Sequence, residues 1–233
     1  MSEQKFSVKE IAEMIDLSAV KAEQSEEEFQ LLINTAKEHQ IKCVFVLPSH
    51  TKRIVQALSD EPDILVGGVV GFPSGGSTTT SKIFECQELI NLGCDEIDMV
   101  MNIGLLKAKR YDEFVLDIKS VVECAESIPV KVILECHHLT DEEITKACEL
   151  AVNCGVDYVK TGTGWAPTGA TSENVALMSK AVAGRCKIKA AGGVRDLETL
   201  LELNKLGATR FGLGVATALD IINNTANAGK GAY

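Results

Sequence analysis

The 233-residue chain is 45% hydrophobic and 24% charged, which suits one globular domain with a substantial core. Its 23 Lys and Arg against 33 Asp and Glu give a net charge of −10, so no basic surface indicates binding to nucleic acid. Eight cysteines without a C-x-x-C pair, and no apolar run near the roughly 18 residues that a membrane span needs, predict a cytoplasmic protein off the membrane.

Short apolar runs alternate with amphipathic stretches along the whole chain. Val8 to Ile15 has apolar residues at helical spacing and predicts a helix that closes one end of the fold. Capping boxes at Ser25 to Glu28 and at Thr140 to Glu143 each introduce an amphipathic helix. A short run, Ile15 to Leu17, precedes the first of these helices. Seven longer runs are typical of buried strands, over residues 42–47, 64–70, 97–101, 130–135, 157–161, 187–190 and 209–213.

Continuously apolar strands that are each followed by a helix indicate a parallel sheet covered on its outside by helices. With residues 15–17 counted, the strands number eight, and the chain is close to the ~250 residues of a closed (β/α)8 TIM barrel. An open doubly wound sheet is the alternative, but the first strand lacks a following G-x-G-x-x-G turn. We therefore predict an α/β TIM-barrel domain over residues 1–222. The polar, glycine-containing segment 223–233 shows no period and predicts a flexible tail.

Lys160 and Lys189 each end an apolar strand just before a glycine-rich turn. If both strands belong to one barrel, their ends face the same mouth and each ammonium group lowers the pKa of the other. A partly neutral lysine can attack a carbonyl and form a Schiff base. The pattern therefore predicts one lysine as nucleophile and the other as its electrostatic companion, without deciding which. Two lysines that extend to solvent are the alternative.

Carboxylates and glycines at strand ends are the next candidates. Asp98 lies within an apolar strand, where it needs a cationic partner to stay ionised, and Asp16 is a weaker case. A structural salt bridge with no part in turnover would also explain Asp98. Gly192 and Gly193 with Arg195, and the segment from Gly212 to Gly214, follow the last two strands, where barrels commonly bind phosphate. Two tight turns would explain the same glycines.

Other polar motifs are weaker evidence for a functional site. His137 and His138 are adjacent after a strand, so they do not form a ready pair of metal ligands, and no metal site is predicted. Ser49 and His50 lack a third partner for a catalytic triad. The chain ends in Tyr233, whose phenol could fold over the barrel mouth as a lid or proton carrier.

Five segments together carry a resemblance that runs from Ile15 to Tyr233. They are Val70-Gly71-Phe72-Pro73, Asp95-Glu96-Ile97-Asp98-Met99-Val100, Lys131-Val132-Ile133-Leu134-Glu135, Val159-Lys160-Thr161 with Thr163-Gly164, and Lys189-Ala190 with Gly192-Gly193. The chain resembles the deoxyribose-phosphate aldolases, a family of class I lyases. That family reversibly cleaves 2-deoxyribose 5-phosphate to glyceraldehyde 3-phosphate and acetaldehyde, without metal or other cofactor.

The resemblance implies that Lys160 forms the Schiff base, that Lys189 lowers its pKa, and that Asp98 transfers protons through an ordered water. It also implies a supporting acid at Asp16 and a tail tyrosine, Tyr233, that enters the site. The small-molecule partner would be a phosphorylated sugar or an aldehyde. The sequence is also compatible with assembly into a homo-oligomer. Contacts to substrate and phosphate are expected from Thr163, Gly164, Gly192, Gly193, Arg195, Gly212 and Gly214.

Three departures from the family pattern stand out. After the last strand the chain reads Gly212-Leu213-Gly214-Val215-Ala216 where the family usually shows two phosphate-binding serines. Phe45 stands where many members carry cysteine, and Gly162 replaces a common serine. The carbon–carbon chemistry is therefore expected to be retained while the phosphate contact is weakened. A phosphosugar isomerase or epimerase, and a non-catalytic sugar-binding barrel, are the alternatives.

Overall fold

The computed structural model describes residues 6–230, and the side chains of residues 6–227. Its eight strands are β1 (Ile15–Ala19), β2 (Cys43–Val46), β3 (Leu65–Val70), β4 (Glu96–Val100), β5 (Val130–Ile133), β6 (Tyr158–Lys160), β7 (Lys187–Ala191) and β8 (Ala208–Leu213). Each strand pairs in parallel with the next, and β8 pairs with β1, so the sheet closes into a barrel. The predicted TIM barrel is confirmed.

Helices connect successive strands around the outside of the barrel. They are α1 (Val8–Ala12), α2 (Glu26–His39), α3 (Pro48–Ala57), α4 (Thr79–Asn91), α5 (Ile103–Lys107), α6 (Tyr111–Ala125), α7 (Asp141–Asn153), α8 (Ser172–Val182), α9 (Leu197–Lys205) and α10 (Val215–Lys230). Both predicted capping boxes are confirmed, and a third, from Ser7 to Glu10, begins α1. Over the part of the chain described, no helix combines the length and the apolarity needed to cross a membrane.

Strand residues alternate between the helices and the barrel interior, as the pleat of a strand requires. In β2, Val44 and Val46 belong to the main core between sheet and helices, whereas Cys43 and Phe45 face inward. Inside the barrel, Cys43, Phe45 and Val69 form a small apolar cluster of their own. The interior therefore has one apolar side, formed by β2 and β3, and the remaining strands supply its polar residues.

Residues 223–230, part of the segment for which we predict a flexible tail, continue α10 as a helix. Ala218, Ile221, Ile222 and Thr225 are buried at helical spacing, so the apolar face of α10 extends past the last isoleucine. The sequence pattern does not indicate this continuation, since Thr225 is a polar residue on the buried face. Its hydroxyl donates to the Ile221 carbonyl at 2.8 Å instead of facing water. Residues 231–233 lie outside the described part of the chain, and with them the predicted lid residue Tyr233.

Candidate active site

Charged side chains from six strands converge inside the barrel, each 6% exposed or less. We call these seven residues the interior ion cluster. They are Asp16 of β1, Glu96 and Asp98 of β4, Lys131 of β5, Lys160 of β6, Lys189 of β7 and Arg210 of β8. Three carboxylates thus face four cationic groups. Because charges removed from water are costly unless paired, the contacts among the seven decide which of them stay ionised.

Asp98 joins the two predicted lysines. Lys160 and Lys189 lie side by side in register on neighbouring strands, and the Nζ atom of each donates to Asp98 Oδ2 at 2.7 Å. Lys189 Nζ also lies 2.5 Å from Asp16 Oδ2. The structure therefore brings Lys160, Lys189, Asp98 and Asp16 into one group. The alternative of two lysines extending to solvent is wrong, since Lys160 is 6% exposed and Lys189 is fully buried.

Lys131 and Arg210 complete the cluster from β5 and β8, the strands that flank β6 and β7. Lys131 Nζ lies 2.5 Å from Glu96 Oε2 and 3.2 Å from Asp98 Oδ1. Arg210 Nε donates to Asp16 Oδ1 at 2.7 Å, and its Nη2 donates to Glu96 Oε2 at 3.1 Å. Burial opposes ionisation of Asp98, but the surrounding lysine charges prevail and hold its pKa well below the usual range. For the same reason the carboxylates raise the pKa of Lys131 above that of a free lysine.

Lys160 differs from the other cations of the cluster in its pKa and in its access. Burial is the main cause that lowers the pKa of Lys160 to about 8; Lys189 lowers it further, and Asp98 opposes both. A pKa near 8 leaves roughly a tenth of the amine neutral at pH 7, about 300 times the share of an ordinary lysine. With every group ionised, the cluster carries one excess positive charge, and loss of the Lys160 proton removes it.

A cavity of about 430 Å³ opens at the carboxyl-terminal ends of the strands, directly above the cluster. Lys160 is the one cation of the cluster that lines it. The seven residues that the sequence nominated for substrate or phosphate also line it: Thr163, Gly164, Gly192, Gly193, Arg195, Gly212 and Gly214. Asp98, Asp16 and Lys189 lie beneath the cavity floor, where they contact Lys160 or its partners.

The loop after β6 is held by Glu135. The Thr163 hydroxyl donates to Glu135, the backbone N–H of Thr163 donates to Glu135 Oε1 at 3.2 Å, and the Thr163 hydroxyl accepts from the N–H of Trp165 at 3.0 Å. A Cβ atom at Gly162 would lie 2.7 Å from Glu135 Oε1, so glycine in place of serine fits this contact. Thr163 thus orders the loop with its hydroxyl while it lines the cavity.

Aromatic residues form the outer wall. Trp165 is 48% exposed, its Nε1 donates to the carbonyl of Val20 at 2.9 Å, and its ring meets Phe72 edge-on with centroids 6.0 Å apart. Three loops, after β1, β3 and β6, are thereby tied together at the rim. After β8, the neighbour of β1, α10 begins at Val215, so its first N–H groups are available to an anion although neither Gly214 nor Val215 carries a hydroxyl.

Sequence reasoning missed Lys131, Glu96 and Arg210 as members of the site. Each is a charged residue within an otherwise apolar strand, at a position that faces the barrel interior. Lys131, for example, stands between Val130 and Val132. The criterion that singled out Asp98 would have found all three, because an ion at an interior position needs partners.

Two groups test the prediction that the chain holds no metal. Oxygen atoms of Asp16 and Glu96 and the Cys43 sulfur lie within 4.8 Å of one another. However, both carboxylates already accept from Arg210, and burial raises the pKa of the Cys43 thiol well above its usual value, so the thiol stays protonated. This donor set fits an ion-pair network better than a cation site. His137 is in a 3-10 turn, with its Nδ1 2.7 Å from the Thr168 hydroxyl.

The fold and the site define a (β/α)8-barrel enzyme with a buried lysine and carboxylate centre at the carboxyl-terminal mouth. Residues 11–223 match the model of the DeoC/LacD family aldolases, and the chain belongs to that family.

Named relatives agree. A deoxyribose-phosphate aldolase of Klebsiella pneumoniae is 45% identical over 204 residues, 87% of this chain and 82% of the relative. One of Staphylococcus epidermidis is 44% identical over 216 residues, 92% and 98% of the two chains. Among solved structures, one from Coccidioides immitis superposes with a TM-score of 0.90 at 36% identity, covering 96% and 88% of the chains. "QR15, an Aldolase" gives 0.88 at 35% identity, covering 96% and 99%.

Proposed function

We propose that the chain is a class I aldolase that reversibly cleaves 2-deoxy-D-ribose 5-phosphate to D-glyceraldehyde 3-phosphate and acetaldehyde, with Lys160 as the Schiff-base lysine. The relatives at 44–45% identity are named for this substrate. The observation that carries the residue assignment is the uneven charge of the interior ion cluster, together with the position of Lys160 as its one cation on the cavity. A neutral amine that faces a substrate cavity is what Schiff-base formation requires.

Neutral Lys160 attacks the C1 aldehyde of the open-chain sugar, and loss of water leaves a protonated imine. The imine draws electrons from the C2–C3 bond while a base takes the proton of the C3 hydroxyl, so glyceraldehyde 3-phosphate departs and an enamine remains. We assign the proton transfers to Asp98, acting through an ordered water, because its carboxylate lies beneath the cavity floor and its Oδ2 accepts from the Lys160 amine at 2.7 Å. Protonation of the enamine and hydrolysis of the imine release acetaldehyde and restore Lys160.

Covalent trapping tests this assignment. Acetaldehyde with borohydride should add one ethyl group to the peptide that bears Lys160, because reduction fixes the imine as a secondary amine. Lys187, an exposed lysine at the start of β7, is the internal control. It should stay unmodified when acetaldehyde and borohydride are supplied in the same limiting amounts. Loss of trapping in Lys160→Arg, with Lys187 still unmodified, would support the role. Equal modification of both lysines would contradict it.

The phosphate contact is the second part of the proposal. We assign it to Arg195, to the backbone at Gly193 and to the start of α10, all of which line the cavity. Because the two usual serines are missing, the preference for deoxyribose 5-phosphate over deoxyribose should be small. The ratio of the two kcat/KM values measures this preference, and Arg195→Ala should lower it further. A large ratio that Arg195→Ala leaves unchanged would refute both statements.

We further propose that turnover needs no metal and that the protein acts in the cytoplasm. In the donor set of Asp16, Cys43 and Glu96 both carboxylates accept from Arg210, and all eight cysteines are free thiols, as in a reducing compartment. A chelator should therefore leave kcat unchanged. Inactivation that added zinc reverses would overturn the first statement.

A further inference from the structure

The ring of Phe45 lies against three lysines of the interior ion cluster. Its centroid is 3.9 Å from Lys189 Nζ, 4.8 Å from Lys131 Nζ and 5.9 Å from Lys160 Nζ. A cation within about 6 Å of an aromatic face is attracted by the ring quadrupole, most strongly where water is excluded. Phe45 is 1% exposed and lines the cavity together with Lys160.

Gly67 provides the space for this ring. It is the register partner of Phe45 on β3, and a Cβ atom there would lie 2.2 Å from both Cε1 and Cζ of the ring. The backbone of Gly67 does not have the positive φ that favours glycine, so the ring and not the local conformation excludes a side chain. Phe45 and Gly67 thus act as a large and small pair that fixes the ring over the lysines.

The ring acts unequally on the two lysines that share Asp98. It lies 2 Å closer to Lys189 than to Lys160, so it stabilises positive charge at Lys189 more. When the cluster gives up one proton, this difference favours its loss from Lys160. The charged and titratable groups that face the ring and the two lysines are Asp16, Cys43, Glu96, Asp98, Lys131 and Arg210.

We propose that Phe45, held by Gly67, is a positioning residue that makes Lys160 rather than Lys189 the neutral amine of the pair. The inference rests on the proposed Schiff-base role of Lys160. It assigns the choice between two adjacent lysines to a residue that carries no charge and donates no proton. Phe45 would act through its unequal distance from the two ammonium groups.

Phe45→Leu tests the proposal, because leucine keeps an apolar side chain and removes the aromatic face. The rate of borohydride trapping by acetaldehyde at Lys160 is measured from pH 6 to pH 10, with the site verified by mass spectrometry. We expect trapping at Lys160 to level off at a lower pH and at a roughly threefold lower rate than in the wild type, because loss of the ring destabilises positive charge at Lys189 more than at Lys160 and lets Lys189 share the neutral state of the pair. Phe114→Leu, in a fully buried phenylalanine of α6, is the matched control and should leave the midpoint unchanged.

A second variant guards against a general folding defect. Gly67→Ala should displace the ring and lower both the midpoint and the final trapping rate in the same way, and it should destabilise the wild type more than it destabilises Phe45→Leu. An unchanged midpoint in Phe45→Leu, or an equal loss of rate at every pH, would overturn the role of the ring. Failure of the wild type to be trapped at Lys160 at any pH would instead overturn the proposed function, so the two failures are distinguishable.

Discussion

Lys82 and Lys160 are both buried lysines beside carboxylates, yet only one of them is placed for chemistry. Lys82 of α4 donates to Asp117 Oδ2 at 2.6 Å and to the Val100 carbonyl at 2.9 Å, so one cation meets one anion. Lys160 belongs to the interior ion cluster, which has four cationic groups and three carboxylates, and the Lys160 side chain lines the cavity. Burial lowers the pKa of both lysines.

The difference lies in charge balance and access. In a closed pair such as Lys82 with Asp117, loss of the lysine proton is unfavourable because it leaves a lone buried carboxylate. The interior ion cluster becomes neutral when Lys160 loses its proton, and the freed amine faces the cavity. A buried lysine is therefore a candidate nucleophile when its surroundings leave it as the surplus cation next to open space. Substitution of Lys160 or of the carboxylate that pairs with Lys82, and a change of pH, test this distinction.

The largest expected effect is that of Lys160→Ala, which should lower kcat by roughly 10⁴-fold or more, since Lys160 is the one member of the interior ion cluster with an amine on the cavity. Cleavage of deoxyribose 5-phosphate measures the loss, and far-ultraviolet circular dichroism checks that the barrel still folds. Lys187→Ala, which removes an exposed lysine of β7, should keep full activity. Substantial turnover by Lys160→Ala would end the assignment of Lys160 as nucleophile.

The second effect falls on stability and concerns the closed pair. Asp117→Ala leaves Lys82 buried without its carboxylate and should lower the free energy of unfolding by about 3–5 kcal/mol, measured by urea denaturation. Glu113→Ala on the same helix breaks an exposed pair with Arg110 and should cost about 1 kcal/mol or less. Lys82→Met combined with Asp117→Leu should recover part of the loss. Equal costs for Asp117→Ala and Glu113→Ala would show that the buried pair is not the structural element we describe.

The third effect is a dependence of kcat/KM on pH, which follows from the lowered pKa of Lys160. A lysine whose pKa is lowered to about 8 loses its proton as pH rises through 8, so the reactive amine is scarce below that value and nearly complete above it. From pH 6 to pH 8, kcat/KM should rise roughly 50-fold and then level off. Unfolding measured over the same range separates titration of Lys160 from loss of the fold. A continued rise to pH 10, as for an ordinary lysine, would contradict the lowered pKa.

Sequence reasoning reached the barrel and the two lysines because both leave local signals. Eight apolar runs with intervening helices fix the fold class, and a lysine at the end of an apolar strand is conspicuous. Partner choice leaves no such signal, since Arg210 and Asp16 are 194 positions apart in the chain and meet only because β8 pairs with β1. Likewise the helix beyond residue 222 depends on packing of Thr225, which polarity alone assigns to solvent.

The smallest effect concerns the rim of the cavity, which lies apart from the ion cluster. Trp165→Phe keeps a ring beside Phe72 and removes the N–H that donates to the Val20 carbonyl. The hydrogen bond is partly exposed and contributes about 1 kcal/mol or less, so KM should rise roughly two- to fivefold while kcat is kept. Trp165→Ala also removes the ring contact and should raise KM further. The pH midpoint of Lys160 trapping should be the same in both variants, because Trp165 contacts Val20 and Phe72 and not a residue of the cluster. A lowered kcat or a moved midpoint in Trp165→Phe would mean that the rim and the ion cluster are coupled, and that the surplus charge of the cluster alone does not set the reactivity of Lys160.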